Sequence, residues 1–178
     1  MPERRLAATL RALHDAGIEF ILVGGLAAVL NGAPVNTFDV DVVHSRDAAN
    51  IDRLLQVLEL LDAVFRIQPE RRLKPNASHL ASAGHLNLIT KYGPLDLLGT
   101  IGRSQGYQEL IPHSVELTIS EGVRIRVLDL ETLIAMKEEL GGEKDRAVLP
   151  ILRRTLEEKR KRQLPGLRPG SGPEPGAW

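Results

Sequence analysis

The chain has 178 residues, of which 43% are apolar and 26% charged, and its formal net charge is zero. One ordinary domain fits this length, and the charge balance predicts no general attraction to nucleic acid or anionic membranes. The absence of cysteine excludes disulfides, thiolate chemistry and cysteine-bound zinc. No apolar run approaches the ~18 residues of a membrane span, and the first segment is an amphipathic helix rather than a signal peptide. We therefore expect a cytoplasmic protein.

The first third of the chain predicts alternating helices and strands. Leucines at helical spacing indicate the first helix, and the Gly24-Gly25 pair after a buried apolar run predicts a turn into a short second helix. The predicted elements are a helix over 4–16, a strand over 18–23, a helix over 26–31, a strand over 38–43 and a helix over 45–63.

The rest of the chain predicts more strands followed by helices. Residues 66–84 have the weakest pattern and predict a loop with room for one short strand. Asp129 is the expected N-cap of a helix that Gly141-Gly142 ends, and Pro150 is expected to start a new helix or to kink the last one. The further elements are strands over 85–90 and 95–98, a hairpin of 114–119 with 123–128, and helices over 129–140 and 143–162.

These elements predict a single mixed α/β domain over residues 1–162. Its core spans 18–128 and its helical C-terminal portion 129–162. Residues 163–178 consist mostly of Pro, Gly and Ser, so we expect a flexible tail or an extended arm.

Two aspartates, Asp39 and Asp41, lie one residue apart in the apolar run "FDVDVV". In a strand they project to one face, ~7 Å apart, while Phe38, Val40 and Val42 are expected to pack against the rest of the fold. Two ionised carboxylates this close repel each other unless a cation lies between them. Carboxylate-only ligands suit Mg²⁺ or Mn²⁺. The alternative is a pair of acids on a solvated strand face.

A third acid, Asp96, lies in a similar apolar run, "GPLDLLGT". If its strand pairs beside 38–43, Asp96 completes a triad that could hold two metal ions and clamp a phosphoryl transfer. The Gly24-Gly25 pair lets backbone N–H groups approach an anion closely. Its alternative explanation is a plain strand-to-helix turn.

The combination of these motifs resembles the DNA polymerase beta-like nucleotidyltransferase superfamily. The motifs that carry the resemblance are "LVGG", "FDVDVV" and "GPLDLL", and "GGLAAVLNGAPVNTFDVD" is most similar to small bacterial members of the abortive-infection toxin and aminoglycoside-modifying types. The segment "LETLIAMKEELGGEKDRAVLPIL" resembles a later helix of these proteins. The resemblance covers roughly residues 18–155 and implies a nucleotidyltransferase fold with a mixed central sheet flanked by helices.

The resemblance also implies an activity, which is transfer of a nucleoside monophosphate from an NTP to a hydroxyl group with release of pyrophosphate. It implies that Gly24 and Gly25 bind the triphosphate, and that Asp39 and Asp41 bind Mg²⁺ or Mn²⁺. Asp96 would complete the metal site or accept the proton of the acceptor hydroxyl.

Two lysines, Lys137 and Lys144, match the later helix and are expected to neutralise phosphate charge. Asp145 is expected to hold Lys144 in place. The alternative for both lysines is ordinary surface charge on a helix.

Basic side chains also recur outside these motifs, in 66–74 and in the "EEKRKR" run of 157–162. They could form an RNA-facing surface, although cations at a helix C-terminus are expected in any case. Aromatic residues make up only 3% of the chain, which gives little support to base stacking.

The leading hypothesis is therefore an Mg²⁺-dependent nucleotidyltransferase whose acceptor is a small molecule, a tRNA or a protein. The alternative is a catalytically inactive relative that binds nucleotide or a protein partner, including an antitoxin-type partner in a toxin–antitoxin system. A third hypothesis is an interaction module whose tail docks a partner. None of the three involves a membrane.

Overall fold

The computed structural model describes residues 2–163. One mixed sheet forms the centre of this part of the chain. Its strands are β1 (Phe20–Val23), β2 (Val40–His44), β3 (Val64–Phe65), β4 (His85–Thr90), β5 (Gly93–Leu98), β6 (Ser114–Ser120) and β7 (Val123–Leu128).

Seven α-helices accompany the sheet within residues 2–163. They are α1 (Pro2–Asp15), α2 (Gly24–Leu30), α3 (Ala48–Leu60), α4 (Ala77–Ala81), α5 (Tyr107–Leu110), α6 (Leu130–Leu140) and α7 (Glu143–Gln163). Among these described helices, none combines the length with the apolar character that crossing a bilayer requires.

The strands lie in the order β3-β4-β5-β2-β1-β7-β6. The β1–β7 and β2–β5 pairs are parallel, and the other neighbours are antiparallel. The central strands β1, β2 and β5 therefore bring together segments that are far apart in the chain. This arrangement is the mixed sheet flanked by helices that the sequence predicts.

The core forms where α1 and α3 cover the sheet. Leu13 of α1 and Leu54 of α3 are fully buried, and so are Ile21 and Leu22 of β1. Burying an aliphatic side chain of this kind contributes ~1.5–3 kcal/mol. This core holds the central strands in a fixed register, and that register determines which polar side chains meet at the sheet surface.

Several local predictions are confirmed. Asp129 caps α6, because its side chain accepts a hydrogen bond of 2.7 Å from the Thr132 N–H. Gly141 ends α6 with a left-handed φ of 60°, a conformation that glycine adopts without strain.

Other local predictions are wrong. Phe38 is 66% exposed instead of packed, because β2 begins only at Val40 and the chain before it still belongs to the turn. Of the two alternatives for Pro150, the start of a new helix is wrong, because α7 continues through it with Leu149 and Leu152 buried on either side; a kink there stays a prediction. The weakly patterned segment contains the short helix α4 and a 3-10 turn over Pro69–Arg71 in addition to loops. Gln163, the first residue of the predicted tail 163–178, still belongs to α7, and the rest of that tail lies outside the described residues.

Candidate active site

The parallel pairing of β2 with β5 places Asp41 directly beside Asp96. Their Cα atoms are partners in the register, and Asn87 of β4 is the partner of Asp96 on its other side. Residues opposite each other in a sheet project to the same face. Three polar side chains thus form a row across three neighbouring strands, and Asp39 lies just before the first of these strands.

The Gly24-Gly25 pair packs against this row. Gly24 has a φ of +68°, and a Cβ atom there would collide with the Asp41 carboxylate. A Cβ atom at Gly25 would lie 2.9 Å from Thr37 Oγ1. Both positions therefore require glycine because the backbone approaches the polar loop and strand so closely. This packing reason for the glycines is one that the motif alone does not reveal.

The carboxylates destabilise one another electrostatically. The pKa of Asp41 is raised from 3.8 to about 7, mainly because burial disfavours its charged form. The charges of Asp96 and Asp39 raise this pKa further, while Arg66 lowers it. Burial also raises the pKa of Asp96, although Arg66 opposes that shift. The site thus favours additional positive charge.

Arg66 supplies one positive charge at this cluster. One of its guanidinium nitrogens contacts Asp96 Oδ1, and another lies 3.9 Å from Asp39 Oδ2. Sequence patterns do not single out this residue, because it is the first of several cations in a weakly patterned segment. Its position after β3 brings it over the sheet at the level of Asp96.

A cleft of about 520 Å³ opens above the carboxylates. Five of the predicted site residues line it, namely Gly24, Gly25, Asp41, Asp96 and Lys137. Much of the remaining lining is apolar. The apolar lining residues are Val23, Leu98, Ile101, Leu128, Leu133, Met136 and Leu140.

The two predicted lysines differ in position. Lys137 of α6 lines the cleft, and its Nζ lies 2.8 Å from Asp145 Oδ1. Asp145 therefore holds Lys137 and not Lys144, which corrects the predicted pairing. Lys144 is exposed on α7 and does not line the cleft. Its predicted role in nucleotide binding stays a prediction.

Two further polar side chains, His85 and Asn87, reach the cleft from β4. The ring of His85 also makes a 3.0 Å hydrogen bond through Nε2 with the Thr100 carbonyl oxygen. The alternation of "HLNLIT" places both residues on the polar face of the strand, but the sequence does not tell which strand lies beside it. Sequence reasoning therefore missed them.

Many basic side chains of the proposed RNA-facing surface are paired with acids of the same chain. Arg72 contacts Asp62, and Lys74 Nζ lies 2.6 Å from Glu59 Oε1. In α7, Arg160 pairs with Glu131 at 2.7 Å. These pairs reduce the charge that the two segments present to a polyanion.

The donor types at the cluster suit a hard divalent cation, although the side chains are not arranged around one. Asp39, Asp41 and Asp96 offer carboxylate oxygens, which Mg²⁺ prefers. Besides burial, the charges of Asp96 and Asp39 raise the pKa of Asp41, and a bound cation would offset that repulsion. Within residues 2–163, no three acidic or histidine side chains are grouped as a metal site. The residues therefore fit such a cation chemically, and the Arg66 guanidinium is the positive group beside them in this structure.

The fold is similar to that of known nucleotidyltransferases. The chain aligns with the lincomycin-bound structure of the lincosamide antibiotic adenylyltransferase LnuA over 85% of its own length and 96% of that chain, with a TM-score of 0.57 and 19% identity. The chain also aligns with a Thermotoga maritima protein that is described only as a candidate nucleotidyltransferase. This alignment covers 87% of the present chain and 92% of the Thermotoga chain, with a TM-score of 0.51 and 18% identity.

Comparison of sequences gives no match. No protein family model matches the chain, and no curated protein matches it significantly. At these identities the structural likeness establishes the fold alone. The chain has the nucleotidyltransferase fold, as the resemblance implies.

Proposed function

We propose that this protein transfers a nucleoside monophosphate from an NTP to a hydroxyl group of an acceptor and releases pyrophosphate. The observation that carries the proposal is the register of β2 and β5, which sets Asp41 beside Asp96 in the same cleft as Gly24, Gly25 and Lys137. Two carboxylates, the backbone of the two glycines and one lysine ammonium group thus line the same cleft. These groups are the ones that a triphosphate and its metal ion require.

Each group has a distinct role in this proposal. The backbone at Gly24 and Gly25, which lines the cleft, would contact the triphosphate. Lys137, positioned by Asp145, neutralises phosphate charge. Asp39, Asp41 and Asp96 would hold Mg²⁺ or Mn²⁺.

When bound, the divalent cation supplies electrostatic stabilisation of the charge that develops on the phosphate oxygens. Asp96 either completes the metal site or accepts the proton of the attacking hydroxyl.

A small acceptor is favoured over a nucleic acid. The apolar lining of the cleft, including Leu133 and Met136, suits an acceptor with an apolar surface beside its hydroxyl groups. The similar structure of LnuA contains lincomycin. The internal pairing of Arg72, Lys74 and Arg160 argues against an RNA surface.

Binding and transfer experiments together test the proposal. Calorimetry with each NTP and Mg²⁺ should give binding to the wild type and none to Asp39→Asn/Asp41→Asn. Incubation with labelled NTP and a panel of hydroxylated compounds should label an acceptor only with the wild type. Asp62→Asn is the matched control, because Asp62 is an exposed acid outside the cleft.

The outcomes separate the proposal from its alternative. Nucleotide binding without transfer to any acceptor, including tRNA and protein, would favour a nucleotide-binding module. The absence of both NTP and metal binding would contradict the proposal.

A further inference from the structure

Arg66 is anchored beside the carboxylates by its own backbone. It follows β3, and its N–H donates a 2.9 Å hydrogen bond to the carbonyl oxygen of Asn87 in β4. Since Asn87 is the sheet partner of Asp96, only strand β4 separates the Arg66 backbone from the acid that its side chain contacts. The contact is thus built into the sheet and does not depend on a long flexible loop.

The guanidinium group contacts two of the three acids proposed to hold a metal ion. It pairs with Asp96 and lies 3.9 Å from Asp39. Its Nε atom is buried and has no hydrogen-bond partner, so the contact leaves one donor unsatisfied, which is unfavourable in a buried position. The Arg66 side chain is 36% exposed, which leaves it a path to swing outward. The guanidinium is therefore held mainly by the two acids.

We propose that Arg66 is a resident counter-cation of the carboxylate cluster, which leaves Asp96 and Asp39 when a divalent cation binds and thereby sets the metal affinity of the cleft. This inference rests on the proposed function, because it takes the three acids to be metal ligands. It goes beyond that function by assigning a role to a residue that lies outside the recognised motifs.

The competition follows from the chemistry of the two cations. A carboxylate oxygen that accepts a hydrogen bond from a guanidinium offers a weaker lone pair to a metal ion, and the two positive charges repel each other. Once displaced, a guanidinium pairs readily with phosphate oxygens. The displaced Arg66 therefore has a new partner in the triphosphate, so metal and nucleotide binding become mutually supportive.

Manganese binding to the full chain tests the inference without any measurement of activity. Electron paramagnetic resonance of free Mn²⁺ is recorded in titrations without nucleotide for the wild type, Arg66→Gln and Arg72→Gln. Arg72 is the matched control, since it is a cation of the same segment that pairs with Asp62 away from the cleft. We expect Arg66→Gln to bind Mn²⁺ about tenfold more tightly than the wild type, and Arg72→Gln to match the wild type.

A second variant and a second measurement keep the result interpretable. Arg66→Lys retains the charge without the planar fork, so its Mn²⁺ affinity should fall between those of the wild type and Arg66→Gln. Circular dichroism verifies that each variant is folded. With an NTP present, the difference in Mn²⁺ affinity between Arg66→Gln and the wild type should become smaller, because the wild type then gains its arginine–phosphate contact.

Two results would overturn the inference. If the wild type and Arg66→Gln bind Mn²⁺ equally, or the variant binds it more weakly, Arg66 does not compete for the acids, even if the wild type transfers nucleotide. If none of these proteins binds Mn²⁺ or transfers nucleotide, the proposed function fails together with the inference.

Discussion

The partly buried carboxylate of Asp41 makes the free energy of unfolding depend on pH in the direction opposite to that of an ordinary ion-paired acid. Its pKa rises from 3.8 to about 7 in the folded protein, whereas exposure to water restores the ordinary value in the unfolded chain. Between these values the folded state keeps a proton that the unfolded state has lost, so the free energy of unfolding falls as pH rises. At ~1.4 kcal/mol for each pH unit, the full loss reaches ~4 kcal/mol by about pH 8.

The substitution Asp41→Asn removes this pH dependence, because an amide of the same shape does not ionise. We expect the variant to match the wild type near about pH 4 and to exceed its free energy of unfolding by up to ~4 kcal/mol near about pH 8, without divalent cations. Urea unfolding measures both values. Circular dichroism is the appropriate signal, since the single tryptophan, Trp178, lies outside the described residues.

The control for this prediction is Asp62→Asn, which removes an exposed acid paired with Arg72. It should change the free energy of unfolding by less than ~1 kcal/mol at either pH. The reasoning about Asp41 is refuted if Asp41→Asn gains nothing near about pH 8, or if it gains the same amount at both pH values.

Two further predictions concern the walls of the cleft. Gly24→Ala should lower the free energy of unfolding by at least ~2 kcal/mol more than Gly122→Ala does. Both glycines have a left-handed φ, but only Gly24 faces a carboxylate. Thermal denaturation measures both losses, and equal losses would contradict the packing argument. Lys137→Met should weaken NTP binding about tenfold in calorimetry. Lys74 lies outside the cleft, so Lys74→Met should bind NTP like the wild type. Unchanged NTP binding by Lys137→Met would show that this lysine does not belong to the site.

The regular elements were predictable where hydrophobic periodicity is strong. The alternation in "HLNLIT" matches β4 residue for residue, and the leucine spacing before Gly17 matches α1 closely, because burial on one face imposes these periods. Prediction failed at the edges of elements, as at Phe38, because the strand expected from residue 38 begins two residues later, at Val40.

The composition of the site was only partly predictable, because sheet register is a long-range property. Asp41 and Asp96 could be expected to meet only if their strands paired, and the sequence does not encode that pairing locally. Asn87 and Arg66 belong to the site through the β4–β5 and β3–β4 pairings. The pairing of Lys137 with Asp145 depends likewise on how α7 folds back against α6.

The fate of the α-phosphate tests the central claim most directly. The full chain is incubated with Mg²⁺, hydroxylated small molecules and NTPs that carry a label at either the α or the γ phosphorus. The proposed function predicts that the α label becomes attached to an acceptor, that the γ label leaves in pyrophosphate, and that both events stop in Asp39→Asn/Asp41→Asn. Transfer of the γ label to the acceptor, or undiminished transfer by the double variant, would contradict the claim.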